Sequence, residues 1–276
     1  MSFRCGRFTL SLNRPLIMGI VNVTPDSFSD GGQYLDSNRA IEHGLQLIAE
    51  GADLLDIGGE STRPGATPVP EGEELQRVLP VIKGLLPAGI PLSIDTQKPG
   101  VMRAAIAAGA DMVNDVNALL TPAAMEVVSG TPAAVCLMHK QGDPLTMQQS
   151  PRYADTVADV MSFLAQRIAA AEQAGIGRDR IVIDPGFGFG KNLEHNLELL
   201  RRLHELSDLG VPVLVGLSRK SMLGKITGGE VDDRLYASIA AAVLAAMKGA
   251  RIVRVHDVKA TRDALAIVNA VEGWGA

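Results

Sequence analysis

Eight short apolar runs, each followed by residues with helical spacing, recur along the 276-residue chain. The runs are rich in Val, Ile and Leu and are nearly continuous, as expected of parallel strands that are buried on both faces. Apolar residues at helical spacing lie between them, for example Ile41, Leu45 and Ile48. The predicted strands are 16–23, 53–58, 91–95, 111–116, 133–138, 181–184, 211–217 and 251–255.

Eight strand–helix units in one chain predict a closed (β/α)8 TIM barrel. A barrel of this kind takes roughly 250 residues, so we expect residues 1–276 to form a single domain. The residues before Leu16 are predicted to form a short N-terminal β-hairpin that plugs the bottom of the barrel. An open, doubly wound parallel sheet is the alternative architecture. Thr121 and Pro122 are predicted to be the N-cap and first residue of a helix.

The charge and composition of the chain exclude several classes of protein. The formal net charge is −5 with both signs mixed throughout, so we expect no nucleic acid as a partner. The longest apolar stretch, 237–247, is shorter than the roughly 20 residues of a membrane span, and the first residues lack the apolar run of a signal peptide. Cys5 and Cys136 are the two cysteines and lie far apart. These features predict a reducing, cytoplasmic setting without a membrane.

Polar residues stand at the carboxyl end of every predicted strand. In α/β barrels these ends, with the loops that follow them, carry the chemistry. Taken singly, Asp95 or Asp257 could be a helix cap, and His139 could have only a structural role. All eight strands nevertheless place polar groups at one end, which favours a functional site. The groups are Asn22, residues 60–63, Asp95, residues 114–115, His139, Asp184, residues 218–220 and residues 254–257.

The residue types in this set indicate the chemistry of the ligand. A cluster of basic groups suits an anion, most simply a phosphate. Two carboxylates and an amide suit a neutral heterocycle that presents N–H donors and acceptors. The implied ligand is therefore a planar, nitrogen-rich ring with a phosphate tail. The basic residues are Arg63, Lys220, Arg254 and His256, and the ring-binding residues are Asp95, Asn114 and Asp184.

Three loops add to this interpretation. Residues 22–32 and 60–68 are long, polar and rich in glycine or charge, which suggests lids that cover a substrate. The segment 184–191 fits neither the P-loop nor the dinucleotide-binding pattern, which argues against an NTPase or a Rossmann enzyme. Its glycines would let the backbone approach a flat ligand, with Phe187 and Phe189 nearby, unless the segment is a purely structural turn. Signatures of zinc proteases, thiolate metal sites and serine hydrolases do not occur.

The order and content of these motifs resemble the dihydropteroate synthase family along essentially the whole chain. The matching segments are 22–32, 56–65, 93–96, 114–116, 184–191, 216–221 and 254–258. The resemblance implies a bacterial folate-pathway transferase, with a TIM-barrel fold and a homodimeric state. It also implies condensation of 6-hydroxymethyl-7,8-dihydropterin diphosphate with 4-aminobenzoate, with Mg2+ as cofactor, to give dihydropteroate and pyrophosphate.

The family pattern also implies a role for individual positions. The pterin would be held by Asp95, Asn114, Asp184 and Lys220, and the diphosphate by Thr62, Arg63, Arg254 and His256. The aminobenzoate, with which sulfonamides compete in this family, would contact Thr62, Arg63, Pro64, Phe189, Ser218 and Lys220. Asn22 would contact the metal, and the groups expected to take part in catalysis are Arg254, His256, Lys220, Arg63 and Asp95.

Two alternative functions share the pterin pocket. A pterin-barrel methyltransferase would use the ring-binding groups but would not need residues 218–220 or the first loop. A non-catalytic pterin-binding homologue would be expected to have lost loop or cationic residues. Asn22, Arg63, Lys220 and Arg254 are all present, which favours the synthase.

Overall fold

Eight parallel strands form a nearly closed barrel that helices surround. The computed structural model describes residues 2–23, 33–61, 68–142, 147 and 151–275, with only the backbone for residues 33–36. The barrel strands are β3 (Leu16–Asn22), β4 (Leu54–Gly58), β5 (Leu92–Asp95), β6 (Met112–Asp115), β7 (Ala134–Met138), β8 (Ile181–Asp184), β9 (Leu214–Val215) and β10 (Ile252–Val255). They follow a hairpin of β1 (Ser2–Cys5) and β2 (Phe8–Ser11).

The strand order confirms the predicted TIM barrel. The strands pair in parallel in the order β8, β7, β6, β5, β4, β3, β10, β9. A parallel bridge between Ile183 and Val213 joins the two outermost strands and brings the sheet close to a complete circle. The alternative of an open, doubly wound sheet is therefore wrong. β9 is shorter than the predicted strand 211–217.

The helices begin and end close to the predicted signals. Thr121 is the N-cap of the helix that starts at Pro122, and its side chain accepts a hydrogen bond from the amide of Ala124 at 3.3 Å. The helices are α1 (Gln33–Glu50), α2 (Glu71–Leu85), α3 (Pro99–Ala107), α4 (Pro122–Ser129), α5 (Thr156–Gln173), α6 (Leu193–Arg201), α7 (Ser221–Thr227), α8 (Leu235–Met247) and α9 (Val258–Glu272).

The N-terminal hairpin closes the bottom of the barrel, as predicted. β1 and β2 pair antiparallel, and Phe3 and Cys5 on β1 are fully buried. They pack in one apolar cluster with inward-facing residues at the start of the strands, among them Met18 and Met112. The lower half of the barrel is therefore a packed core, which leaves the upper end for a ligand.

Inward-facing side chains recur at every second residue of a strand, and the next inward-facing positions above this core form the site. Leu54 and Ile252 belong to the apolar cluster at the barrel bottom. Two residues further along the same strands lie Asp56 and Arg254, which consequently point to the same side of the sheet. The barrel thus changes from apolar to polar within one step of each strand.

Within the described residues, no helix combines the length and the apolar character that a membrane span requires. The apolar stretch 237–247 forms most of α8, and it buries Ala241 and Ala245 against the barrel. The assignment of residues 1–276 to one domain stays a prediction.

Candidate active site

A buried ion-pair network lies at the carboxyl ends of β4, β5, β6 and β10. The guanidinium of Arg254 donates from Nε to Asp56 Oδ2 at 2.5 Å and from Nη2 to Asp95 Oδ2 at 2.9 Å. Asn114 Nδ2 donates to the same Asp56 oxygen at 2.9 Å. The strand ends bring predicted site residues together here: Asp95 and Asn114 are register partners on neighbouring strands, and Arg254 on β10 reaches Asp95.

Asp56 is a member of this network that the sequence interpretation did not select as a site residue. It is fully buried, and it contacts both Asn114 and Arg254. A charged residue inside the apolar run 54–57 was the available signal, because a buried carboxylate requires a partner. The sequence interpretation used only the last residues of each strand, whereas Asp56 lies two residues before the end of β4.

The network contains two carboxylates around one guanidinium. One oxygen of Asp56 and one of Asp95 are buried and have no hydrogen-bond partner among the described residues. Burial raises the pKa of Asp95, Arg254 opposes this effect, and Asp56 adds to it. Burial lowers the pKa of Arg254, but the two carboxylates outweigh it and raise the pKa overall. Carboxylates with unused acceptor capacity can receive the N–H donors of a ligand ring.

Asp184 and Lys220 form the second part of the site. Asp184 is 6% exposed, and its Oδ1 accepts a hydrogen bond from the amide of Gly186 at 2.7 Å. Burial raises the pKa of Asp184, and the charge of Lys220 opposes this. Burial lowers the pKa of Lys220 to about 8, and Asp184 opposes that shift. Each group therefore favours the ionised form of the other.

The side chain of Lys220 is held by the segment that follows β8. Its Nζ donates to the carbonyl oxygen of Phe187 and lies 4.9 Å from the centre of the Phe189 ring. A cation over the face of an aromatic ring is attracted to the ring's electrons. Phe187 itself is fully buried in the core. The contact of Phe189 with a ligand stays a prediction.

Ser218 and His256 are paired at the ends of β9 and β10. The hydroxyl of Ser218 lies 2.9 Å from His256 Nδ1, and it accepts a hydrogen bond from the backbone amide of His256 at 3.2 Å. Next to them, Arg219 donates two hydrogen bonds to Asp257, at 2.6 and 3.1 Å. Asp257 occupies the N-cap position of α9, as its alternative interpretation held, but its side chain binds Arg219 and makes no capping bond.

Two other polar strand ends have structural partners. His139 is 6% exposed, and its Nδ1 lies 2.9 Å from the ammonium of Lys191. Asp115 accepts hydrogen bonds from the amides of Asn117 and Leu119, both at 2.8 Å, and so shapes the turn after β6. Their position at a strand end therefore does not by itself make them part of a ligand pocket.

Asn22 lies at the end of β3 beside the ion-pair network. Its register partner is Gly58 on β4, and Gly58 is in turn the register partner of Asp95. Glycine at this point keeps the space between Asn22 and Asp95 open, because a Cβ on Gly58 would lie 3.8 Å from Asp95 Oδ2 and 4.0 Å from Asn22 Oδ1. The described residues contain no cluster of three His, Cys, Asp or Glu side chains that could hold a metal.

Three predicted site residues, Thr62, Arg63 and Pro64, lie outside the described residues, and so does most of the loop 22–32. Their proposed roles stay predictions.

Comparison with known proteins agrees with this geometry. The family model described as "Pterin binding enzyme" matches residues 18–256. A curated dihydropteroate synthase from Escherichia coli K12 is 49% identical over 263 residues, which cover 95% of this chain and 93% of that protein. The chain belongs to the dihydropteroate synthase family. Members of this family are transferases, and the chain is an enzyme of that class.

Solved structures of family members have the same fold. A dihydropteroate synthase from Xanthomonas albilineans with 4-aminobenzoic acid has 55% identity and a TM-score of 0.93, with 98% of each chain covered. The enzyme from the same organism in complex with 7,8-dihydropteroate has 52% identity and a TM-score of 0.90, with 99% of each chain covered. Sequence identity above 50% over nearly the whole chain indicates the specific family as well as the barrel fold.

Proposed function

We propose that this chain condenses 6-hydroxymethyl-7,8-dihydropterin diphosphate with 4-aminobenzoate at the strand ends of the barrel. The observation that carries the proposal is the guanidinium of Arg254 held between Asp56 and Asp95, 2.5 and 2.9 Å away. This arrangement sets a fixed cation directly beside a group of buried carboxylates. A ring rich in N–H donors that bears an anionic tail matches both parts.

The pterin ring would lie on the buried polar groups of β5, β6 and β8. Asp95, Asn114 and Asp184 are each at most 7% exposed, so their contacts with a ligand would be little weakened by water. Asp56 extends this set, because it fixes the amide of Asn114 through a 2.9 Å hydrogen bond. Lys220 would complete the ring pocket from the β9 side.

The diphosphate would lie toward Arg254 and His256, with Thr62 and Arg63 from the second loop. In the reaction, the amine nitrogen forms a bond to the methylene carbon of the pterin while the bond from that carbon to the diphosphate oxygen breaks. The amine gives up one proton, and pyrophosphate leaves with the bonding electrons. Electron release from the ring would stabilise positive charge on the carbon, so an SN1-like path is expected. Fixed cations near the departing oxygen stabilise the charge that builds there.

The aminobenzoate would bind against Phe189, Ser218 and Lys220, together with Thr62, Arg63 and Pro64. Its amine is mostly neutral at pH 7, so it needs no strong base to expose its lone pair. Ser218 is held by His256, and Lys220 by Phe187 and Phe189. Both residues are therefore oriented before the second substrate arrives. Sulfonamides would compete for this part of the pocket.

Mg2+ suits the residues present if the substrate supplies most of its ligands. Mg2+ commonly uses one or two protein oxygens together with phosphates and water, and Asn22 offers an amide oxygen beside the network. When bound, the ion would neutralise charge on the diphosphate.

The reaction itself gives the first test. We expect the purified protein to release pyrophosphate from the pterin diphosphate when 4-aminobenzoate and Mg2+ are present, with dihydropteroate formed in equal amount. Omission of the amine should reduce release to the background rate, and removal of Mg2+ by a chelator should reduce it strongly. Pterin binding without amine-dependent release would contradict the proposal and favour the methyltransferase or the non-catalytic homologue.

The lowered pKa of Lys220 predicts a pH dependence. Burial lowers this pKa to about 8, with Asp184 as the opposing charge, so the free enzyme loses its Lys220 cation as the pH rises through about 8. The value of kcat/KM for the pterin diphosphate reports ionisations of the free enzyme, and it should fall above this pH. In Lys220→Arg the alkaline decline should disappear, because arginine remains charged. An unchanged alkaline limb in the variant would assign the decline to another group.

The exposed face of α8 supports a homodimer. Tyr236, Leu244 and Met247 are 81, 47 and 56% exposed and share one stripe of the helix with Ala240. Exposed apolar stripes of this kind often form interfaces. We expect a dimer by light scattering, and a monomer for Leu244→Asp. The matched control Leu120→Asp, at a 54% exposed apolar position between β6 and α4, should remain dimeric. We also propose that the protein acts in the cytoplasm, as the sequence predicts.

A further inference from the structure

Lys191 is a buried cation for which the proposed reaction has no use. It is 2% exposed and lies at the end of the segment that connects β8 with α6. We infer that Lys191 is a positioning residue that fixes the segment 186–190, so that Phe187 and Phe189 hold Lys220 in place for the substrates. The inference rests on the substrate pocket proposed for Phe189 and Lys220.

The side-chain nitrogen of Lys191 has three hydrogen-bond partners inside the protein. It lies 2.9 Å from His139 Nδ1 and donates to the carbonyl oxygens of Gly186 at 2.9 Å and Phe189 at 3.2 Å. A lysine ammonium has three N–H groups and no acceptor. Two of the bonds reach the two ends of one short stretch of backbone, which therefore bends around a single charge.

His139 supplies the acceptor that lies on the neighbouring strand. Burial lowers the pKa of His139 to about 3, and the charge of Lys191 acts in the same direction. The imidazole is therefore neutral at pH 7. Burial also lowers the pKa of Lys191 to about 7, with Asp184 as the opposing charge, and the protonated form of Lys191 donates to Nδ1. Because the backbone amide of His139 also donates to the carbonyl of Asp184 at 2.9 Å, β7 and β8 are tied together at this point.

Two glycines let the segment lie directly on the residues that follow β7. Gly186 and Gly190 have φ angles of +69° and +62°. A Cβ on Gly186 would overlap the carbonyl oxygen of His139, and a Cβ on Gly190 would overlap that of Gln141. The segment thus packs against the backbone of residues 139–141 on one side and is hydrogen-bonded to Lys191 on the other. These contacts restrict its conformation.

The same segment provides the contacts of Lys220. The carbonyl oxygen of Phe187 accepts from Lys220, and the Phe189 ring lies 4.9 Å from its Nζ. Gly186 donates to Asp184 at 2.7 Å. A shift of this backbone would therefore move a carbonyl, an aromatic ring and a carboxylate partner of the pocket at the same time.

A second anchor acts on the same backbone and allows an independent test. The hydroxyl of Tyr153 donates to the carbonyl of Gly190 at 2.8 Å. Tyr153→Phe removes this one bond and keeps the ring, so the variant is expected to fold.

The experiment compares Lys191→Met with Arg180→Met. Arg180 is a cation at the opposite end of β8, 5% exposed, that likewise donates to backbone carbonyls, those of Thr131 and Ala133. Both variants lose a buried cation, so both should unfold more easily. We expect only Lys191→Met to lower kcat/KM for 4-aminobenzoate, on the order of 10- to 100-fold, because misplaced pocket groups reduce turnover. Tyr153→Phe should lower it in the same direction by about 2- to 10-fold.

Hydrogen exchange of the unliganded protein measures how firmly the segment 186–190 is held, independently of its effect on turnover. Amides of residues 186–190 should exchange faster in Lys191→Met and Tyr153→Phe than in Arg180→Met. Unchanged exchange would overturn the inference. Faster exchange with unaltered kinetic constants would also overturn the inference. In that case Lys191 would fix the segment, but Phe189 and Lys220 would not form the substrate pocket proposed for them. If Lys191→Met does not fold, Tyr153→Phe decides by the same two measurements.

Discussion

Replacement of Arg254 by methionine is expected to lower kcat on the order of 10²- to 10³-fold, as is typical for loss of one donor that stabilises a transition state. The guanidinium is held by Asp56 and Asp95 at 2.5 and 2.9 Å. It is therefore oriented before the substrate binds and needs no rearrangement when charge develops on the leaving diphosphate. Methionine retains much of the volume but neither the charge nor the N–H groups.

The variant has a second consequence that the measurement must separate from the first. Without Arg254, the buried carboxylates of Asp56 and Asp95 lose their counter-charge, which typically costs about 3–5 kcal/mol of stability. Turnover should therefore be measured at saturating substrates and expressed per folded molecule, with the folded fraction taken from urea unfolding. Asp56→Asn combined with Arg254→Met relieves the repulsion and should recover stability but not turnover.

A matched control is available on the neighbouring strand end. Arg219 is bound to Asp257 by two hydrogen bonds, and its side chain is 37% exposed. Arg219→Met removes the same charge a short distance away and should leave kcat within a few-fold of the parent. Arg254→Lys should fall between the parent and Arg254→Met, because it keeps a charge but loses the planar fork. Near-normal kcat in Arg254→Met would remove the leaving-group role.

The barrel could be predicted because its signal is repeated eight times. Strands buried on both faces must be apolar along their length, and each break between strand and helix is marked by polar or glycine residues. β9 shows the limit of this reasoning. Residues 211–217 are apolar throughout, yet only Leu214–Val215 pair as a strand, because burial alone requires apolar residues whether or not the backbone completes a ladder.

The site could be predicted only in part, since strand ends are recognised more easily than inward-facing positions. Asp95, Asn114 and Asp184 stand at or next to the last residue of their strands and were identified. Asp56 stands in the middle of an apolar run, where its charge is the available signal, and a rule that considers only strand ends does not select it. His139 and Asp115 were found at the correct end, but their partners, Lys191 and two backbone amides, come from turns whose shape no spacing rule gives.

Asp184→Asn is expected to raise the KM for the pterin diphosphate about 10- to 100-fold, which corresponds to the 1.5–3 kcal/mol of a hydrogen bond to a charged group. The amide keeps the shape of the side chain and can still accept the 2.7 Å bond from Gly186. The substitution removes the negative charge of Asp184. This charge faces Lys220 and, in the proposed complex, would accept hydrogen bonds from the N–H donors of the ring. Because Asp184 would bind the ring in the ground state as well as in the transition state, kcat should fall less than the affinity, and calorimetry with the dihydropterin alone should show the same loss.

Asp115→Asn is the matched control for this variant. Asp115 is also a buried carboxylate at a strand end, 1% exposed, but its two oxygens accept from the backbone amides of Asn117 and Leu119. Its replacement should lower the free energy of unfolding and leave the KM for the pterin unchanged. A similar rise of KM in both variants would mean that general loosening of the barrel rim explains the effect. A rise confined to Asp184→Asn would instead indicate a direct contact with the ring, since the two substitutions alter the same functional group at the last residue of a barrel strand.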